Sequence, residues 1–287
     1  MSTTLTPPQP PAPPAPGPSG NGPQQDGPRS SARVIAILAI VLGSVLIVGA
    51  VFSGVFSAVR AASQRTETLT LTADATGIRS LDVDVAAADL TIVYGGDTVS
   101  LDVQGGAADW RLGRDGDSVT VRTDRGWWGG WRLFGEGDVA VLTLPQSLAS
   151  VALDADLSLS AGALRADGRY SSLDLDLSAG SMSVSGTAQS LDADVSAGRL
   201  VLDLDGVDEA DLRLSAGAIG GELTGRAPQE VTVDVSAGRL ELTLPDASYA
   251  VASDVSAGEF QNRLTVDAGS DHRVSVSVSA GFALLRS

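Results

Sequence analysis

The 287-residue sequence has no cysteine, no lysine, a single histidine (His272) and only 4% aromatic residues. Without cysteine there is no disulfide framework, thiolate zinc site or thiol nucleophile. One imidazole excludes a two-histidine metal site within the chain and forces any serine, histidine and acid triad through His272. Positive charge is scarce as well: 19 basic residues, all arginine, face 35 acidic ones, for a formal net charge of −16. Phosphate binding needs a basic patch, so nucleic acid is excluded as a partner. Neither a phosphate loop nor a dinucleotide fingerprint occurs, and no cofactor is expected.

What is present falls into segments suited to different solvents. Residues 1–33 are dominated by Pro, Gly, Ser and Gln. They bury too little apolar surface to offset the entropy of ordering, and read as a disordered tail with polyproline II character. Residues 34–59 carry no charge. At about 1.5 Å per residue they reach roughly 39 Å, more than the ~30 Å hydrocarbon core, so the expectation is one transmembrane α-helix in contact with membrane lipid. A cleaved signal peptide ending after Ser57-Ala58 is the alternative, although the apolar run is long for one. Residues 60–65 then form a juxtamembrane linker. Arg29 and Arg33 are matched by Arg60 and Arg65 across the span, so the positive-inside rule is undecided. A single-pass protein of the cell membrane, tail inside and large domain outside, follows from the signal-anchor arrangement.

In residues 66–287 the tripeptide Ser-Ala-Gly returns seven times, ending at Gly162, Gly180, Gly198, Gly217, Gly238, Gly258 and Gly281. Before each glycine apolar and polar residues alternate, as in Leu173, Leu175 and Leu177 with Asp174 and Asp176. Such alternation marks strands with one buried face. From three residues before the glycine to two after it is an odd step, which a continuous pleat cannot take without exposing one apolar set. The tripeptide is therefore a corner. Val83 and Val85 before Ala88, and Val99, Leu101 and Val103 before Gly106, look like eroded copies of the unit. A lone unit cannot repay its ordering entropy, so neighbours must share a core and a hydrogen-bond ladder. The expected fold is all-β: a β-solenoid (β-helix) of about ten coils of 18–23 residues, with an antiparallel sandwich as the alternative.

The single N-terminal apolar span, the recurrent Ser-Ala-Gly after alternating Val or Leu with Asp, and the closing run Val274-Ser275-Val276-Ser277-Val278-Ser279-Ala280-Gly281 together resemble the bacterial putative-adhesin family of β-strand-repeat proteins of unknown function. The resemblance covers residues 66–287 and implies a β-helical domain displayed at the cell envelope. It implies no active-site residues.

Stacking would align outward carboxylates into columns, among them Asp174, Asp176, Asp192 and Asp194, which are weak calcium candidates beside the simpler reading of a solvated acidic face. All four tryptophans fall in the stretch from Trp110 to Trp131. Trp110, Trp127, Trp128 and Trp131, with Arg132 and Phe134, form a candidate loop that either binds a protein or glycan partner at the envelope or plugs one end of the domain. His272 sits in a polar connector without a nucleophile elbow, so no catalytic residue is expected. The function expected is a non-enzymatic binding or adhesion module; the alternative is a structural or signalling subunit that recruits a membrane partner.

Overall fold

The computed structural model describes residues 68–73, 76–105, 110–123 and 138–287. The tail (1–33), the apolar span (34–59), the linker (60–65) and the segment 124–137 lie outside the described residues. Among the described residues the one helical element is the 3-10 turn Gln146–Ser150, and no helix is long and apolar enough to cross a membrane. The transmembrane α-helix expected ahead of the domain is therefore not a feature of the described fold.

Sixteen strands follow in order: β1 (Thr68–Ala73), β2 (Ser80–Val85), β3 (Ala88–Tyr94), β4 (Val99–Gln104), β5 (Trp110–Asp115), β6 (Ser118–Thr123), β7 (Asp138–Leu144), β8 (Leu153–Leu159), β9 (Gly162–Asp205), β10 (Glu209–Thr224), β11 (Glu230–Thr243), β12 (Ser248–Val255), β13 (Glu259–Arg263), β14 (Thr265–Val266), β15 (Arg273–Val278) and β16 (Phe282–Arg286). Valine and leucine at every second position favour the pleated, half-buried state. Their side chains meet in one hydrophobic cluster, while the intervening Asp, Ser and Thr stay outside it. At the corners the parity changes: the buried positions step from Leu177 to Met182 and from Val195 to Leu200. Both are the odd step that the Ser-Ala-Gly spacing requires.

The strands form one mixed sheet, ordered β1-β4-β7-β3-β9-β10-β11-β15-β12-β14, with the others attached beside this path. This overturns the expectation of a β-solenoid of about ten coils. Three particulars carry the correction. First, β4 runs antiparallel to both β1 and β7, and β5 runs antiparallel to β6. Val99, Leu101 and Val103 thus belong to a reversed strand, not to an eroded coil. The physical reason at β5–β6 is the two-residue turn Gly116-Asp117, with Gly116 at φ 61°, which is too short for the crossover a parallel pair needs. Second, neighbours are not successive in the chain, since β2 pairs with β6 and β8, and β3 with β7 and β9. Third, β15 and β16 lie between β11 on one side and β12 and β13 on the other.

Within the parallel part the register is regular. Gly217 is opposite Gly198 and Gly238, and Leu212 is opposite Ala193 and Val233. Gly162 is opposite Ala88, the alanine that takes the corner position in the upstream unit. Apolar residues therefore rest on apolar residues along this part of the ladder, and the outward residues are brought into line in the same way.

Candidate functional site

The most distinctive outward surface is built by β2, β8, β9, β10 and β11. Because successive side chains of a strand alternate between faces, the two acids of each Asp-x-Asp pair share the outer face. Register then aligns them: Asp82 with Asp156, Asp156 with Asp174, and Asp211 with Asp192. A second file runs beside the first, with Ser158 between Asp84 and Asp176, and Arg213 between Asp194 and Asp234. Neighbouring strands stand about 4.8 Å apart. At that spacing unscreened like charges repel by about 1 to 3 kcal/mol per pair at effective dielectrics of 80 to 20.

Two arginines relieve part of this repulsion. Arg122 meets Asp82 at 2.7 Å, and Arg213 bridges Asp192 (3.0 Å) and Asp211 (2.6 Å). Among the described residues no ion pair reaches Asp174, Asp176 or Asp194. The carboxyl of Asp156 is held above the usual carboxylate range, first by partial burial and then by Asp82 and Asp174, against a hydrogen bond from Ser158 that lowers it. Asp211 is also raised, chiefly by burial, with Arg213 pulling it down and Asp192 and Asp234 pushing it up. Its Oδ1 is buried without a hydrogen-bond partner. A shallow depression of about 280 Å³ opens here, lined by Ser172, Asp174, Ser190, Asp192, Glu209 and Asp211 among others.

Asp174, Asp176, Asp192 and Asp194 thus lie on one outer face, in adjacent repeats. Among the described residues no three His, Cys, Asp or Glu side chains converge closely enough to hold a metal ion. The physical reason is the sheet itself: side chains on one face stand side by side, whereas calcium needs oxygens closing around it from several directions. The surface is suited to attracting positive charge over an area.

The tryptophan set is divided. Trp110 lies in β5 opposite Thr123, only 4% exposed, with its Nε1 buried and without a partner. It is a core residue. Trp127, Trp128, Trp131, Arg132 and Phe134 lie outside the described residues. The corner glycines Gly162, Gly180, Gly198, Gly217, Gly238, Gly258 and Gly281 form a backbone-to-backbone file in which each meets the main chain of a neighbouring rung. His272 is part-buried, its Nδ1 2.8 Å from the Pro228 carbonyl and its ring 5.9 Å from that of Tyr249. The nearby Ser270 hydroxyl donates to the Ser248 carbonyl and accepts from the His272 amide. No nucleophile and base are aligned there.

The ion pair from Arg122 to Asp82 escaped the sequence reading. The alternation of Val119 and Val121 with Thr120 and Arg122 places this arginine on the outer face, but only the pairing of β6 with β2 supplies its partner.

No protein-family model matches the chain, and no curated protein matches it either. Among solved structures it is similar to a putative cell adhesion protein from Clostridium sporogenes at 8% identity, covering 77% of this chain and 99% of that one, with a TM-score of 0.34. A putative adhesin from Bacteroides fragilis shares 13% identity over 76% of this chain and 97% of that one, TM-score 0.41. A putative lipid binding protein from Parabacteroides distasonis shares 12% over 77% and 97%, TM-score 0.38. The resemblance to putative adhesins read from the repeat is thus met among solved structures described in those words.

Proposed function

We propose that this chain is a non-enzymatic binding module of the bacterial cell envelope, which engages a positively charged protein partner through the outer face of β2, β8, β9, β10 and β11. The observation that carries this reading is the alignment of Asp82, Asp156 and Asp174, continued by Asp192 and Asp211, in a register fixed by main-chain hydrogen bonds. A rigid ladder holds these charges in place before binding, so little entropy is lost in ordering them. Charge complementarity of this kind sets orientation and association rate more than raw affinity. The hydrogen-bonded surroundings of His272 favour a non-catalytic reading, since its ring is tied to the Pro228 carbonyl.

The test is binding of the full chain to isolated cell-envelope fragments. Replacing Asp174, Asp176, Asp192 and Asp194 together with Asn should weaken binding about tenfold or more, and raising the salt concentration should weaken the unaltered chain in the same direction. Binding that ignores both changes overturns the acidic face as the contact surface. Turnover of any hydrolase substrate by the purified chain overturns the non-enzymatic reading.

A further inference from the structure

One element stands out of chain order. β12 follows β11 after the four residues Leu244, Pro245, Asp246 and Ala247, yet the two strands are not neighbours. Between them sits β15, and β16 separates β11 from β13 in the same way. The connection must therefore step over a rung that the chain has not yet supplied. Two strand spacings amount to about 10 Å, within reach of four extended residues at about 3.3 to 3.6 Å each.

The two walls of this slot are matched to one another. Val274 lies opposite both Val231 and Val251, Val278 opposite both Val235 and Val255, and Phe282 opposite both Arg239 and Glu259. All three wall pairs, Val231 with Val251, Val235 with Val255 and Arg239 with Glu259, have the same separation in sequence. That separation is the offset of a directly stacked repeat, nearly the one that relates β10 to β11, where Ala210 lies opposite Val231. With residues 273–286 withdrawn, β12 and β13 can close onto β11 without a register shift, Val251 on Val231 and Val255 on Val235, with Ser253 and Asn262 brought onto Val233 and Leu242. The open state thus keeps a hydrogen-bonded ladder.

The occupant is held by contacts that any copy of the same segment reproduces. Val274, Val276, Val278, Ala283 and Leu285 are each at most 1% exposed. Arg239 lies 4.3 Å over the Phe282 ring, Arg286 Nε donates to Thr243 Oγ1 at 3.0 Å, and Arg273 approaches Glu230 at 3.7 Å. The segment enters through Asp267, Ala268, Gly269, Ser270 and Asp271, largely exposed and folded by a turn in which Asp267 accepts from the Gly269 and Ser270 amides. Residues 267–272 are tied to the neighbouring rungs by the Asp267 amide donating to the Tyr249 carbonyl at 2.9 Å, the Ser270 hydroxyl donating to the Ser248 carbonyl at 2.7 Å and the 2.8 Å contact of His272 with Pro228.

We propose that the slot between β11 and β12–β13 is a strand-insertion site that exchanges its occupant, residues 273–286, between two copies of this chain. Exchange of an identical element costs little, because the bonds lost within one copy are remade in the other. The exposed turn at 267–271 is the hinge that redirects the segment. The two proposals share β11, but the acids that carry the first, Asp82, Asp156, Asp174, Asp192 and Asp211, stand on β2, β8, β9 and β10, so failure of one proposal leaves the other intact.

The absence of cysteine makes the test direct. Thr232 and Ser275 are opposed across β11 and β15 on the outer face, at a neighbouring-strand spacing that a disulfide can span. Full chains carrying only Thr232→Cys are mixed with differently tagged chains carrying only Ser275→Cys, loosened in mild urea, returned to buffer and oxidised. Exchange predicts a disulfide-linked heterodimer about tenfold or more above a collision control that pairs Ser275→Cys with Ser183→Cys, because insertion holds the two thiols at millimolar effective concentration. A chain carrying both Thr232→Cys and Ser275→Cys, oxidised first, should stay monomeric. Heterodimer no greater than the control overturns the proposal. Sedimentation of the unmodified chain after the same urea cycle gives a second reading: a dimer with unchanged β circular dichroism supports exchange, and monomer alone overturns it.

Discussion

Gly217 rests directly on Gly198 with φ 110°, so a β-carbon added to Gly217 would collide with the Gly198 carbonyl oxygen and lie 2.7 Å from its nitrogen. The obstacle is main chain and cannot swing aside. Further along the same strand, Gly220 has nothing within 4 Å of such an atom and no positive φ. Gly217→Ala should cost at least about 2 kcal/mol, or roughly 4 to 8 °C in Tm for a domain of this size. Gly220→Ala should be neutral or stabilising by up to about 1 kcal/mol, because it restricts only the unfolded chain. Thermal melts followed by circular dichroism compare the two; equal losses would refute the stacked-corner argument.

Arg213 is the one influence that lowers the Asp211 carboxyl against burial, Asp192 and Asp234. Arg213→Ala should therefore move the Asp211 titration further upward, read by carbon NMR of the carboxylate. Destabilisation by this variant should be greater at pH 7, where the Asp211 carboxylate that Arg213 offsets is charged, than at pH 3. An Asp211 titration that stays put or falls contradicts the assignment.

Asp156 gives the acidic face a pH dependence of definite sign at one position. Its folded carboxyl is raised, so the folded state holds the proton more tightly than the unfolded one, whose carboxyl titrates near 3.9. Stability is consequently lost as pH rises through that window and is regained on acidification. Asp156→Asn should raise Tm at pH 7 by up to about 2 to 4 °C, allowing for solvent screening. The gain should vanish near pH 3. A gain that persists in acid would assign the effect to packing instead of charge.

Tyr249 is fully buried and its hydroxyl donates to the Pro245 carbonyl at 2.8 Å. Tyr249→Phe should cost about 1 kcal/mol near neutrality. Burial, and after it Asp246, pushes the phenol up to about 12 from its ordinary 10. The wild-type protein should accordingly lose stability as pH climbs from about 10 to 12, while the Phe variant lacks this contribution. Melts at pH 7 and across the alkaline range should show the gap between the two proteins closing. A constant gap would contradict it.

Which residues are buried was legible from alternation alone. Leu173, Leu175 and Leu177 are inside, Asp174 and Asp176 outside, and the odd step to Met182 falls at the Ser-Ala-Gly. Neighbour order was not legible. Val274, Val276 and Val278 repeat the pattern of Val231, Val233 and Val235, so nothing local says which rung each will touch; the connections at 244–247 and 264–272 accommodate the choice. Strand direction was equally hidden, because Val99, Leu101 and Val103 alternate identically whichever way β4 runs. Trp110 was grouped with the other tryptophans by proximity in sequence, although Trp110 and Leu112 already showed the two-residue period of a strand facing the core. Of the acidic face, the columns were readable from the repeat. The ion pair of Arg122 with Asp82 requires a pairing of β6 with β2, whose register partners are distant in sequence, as with Ser80 and Ser118.

The inserted position of β15 and β16 also bears on how the protein is made. Ribosomes deliver about 5 to 20 residues per second, so the stretch from Arg263 to Arg286 takes on the order of 1 to 5 s to appear. Throughout that interval the nascent polypeptide already holds both walls but not the piece that parts them. Vectorial growth therefore cannot place these strands by adding each new one to the outside; residues 273–286 have to enter between two rungs that the chain has already supplied.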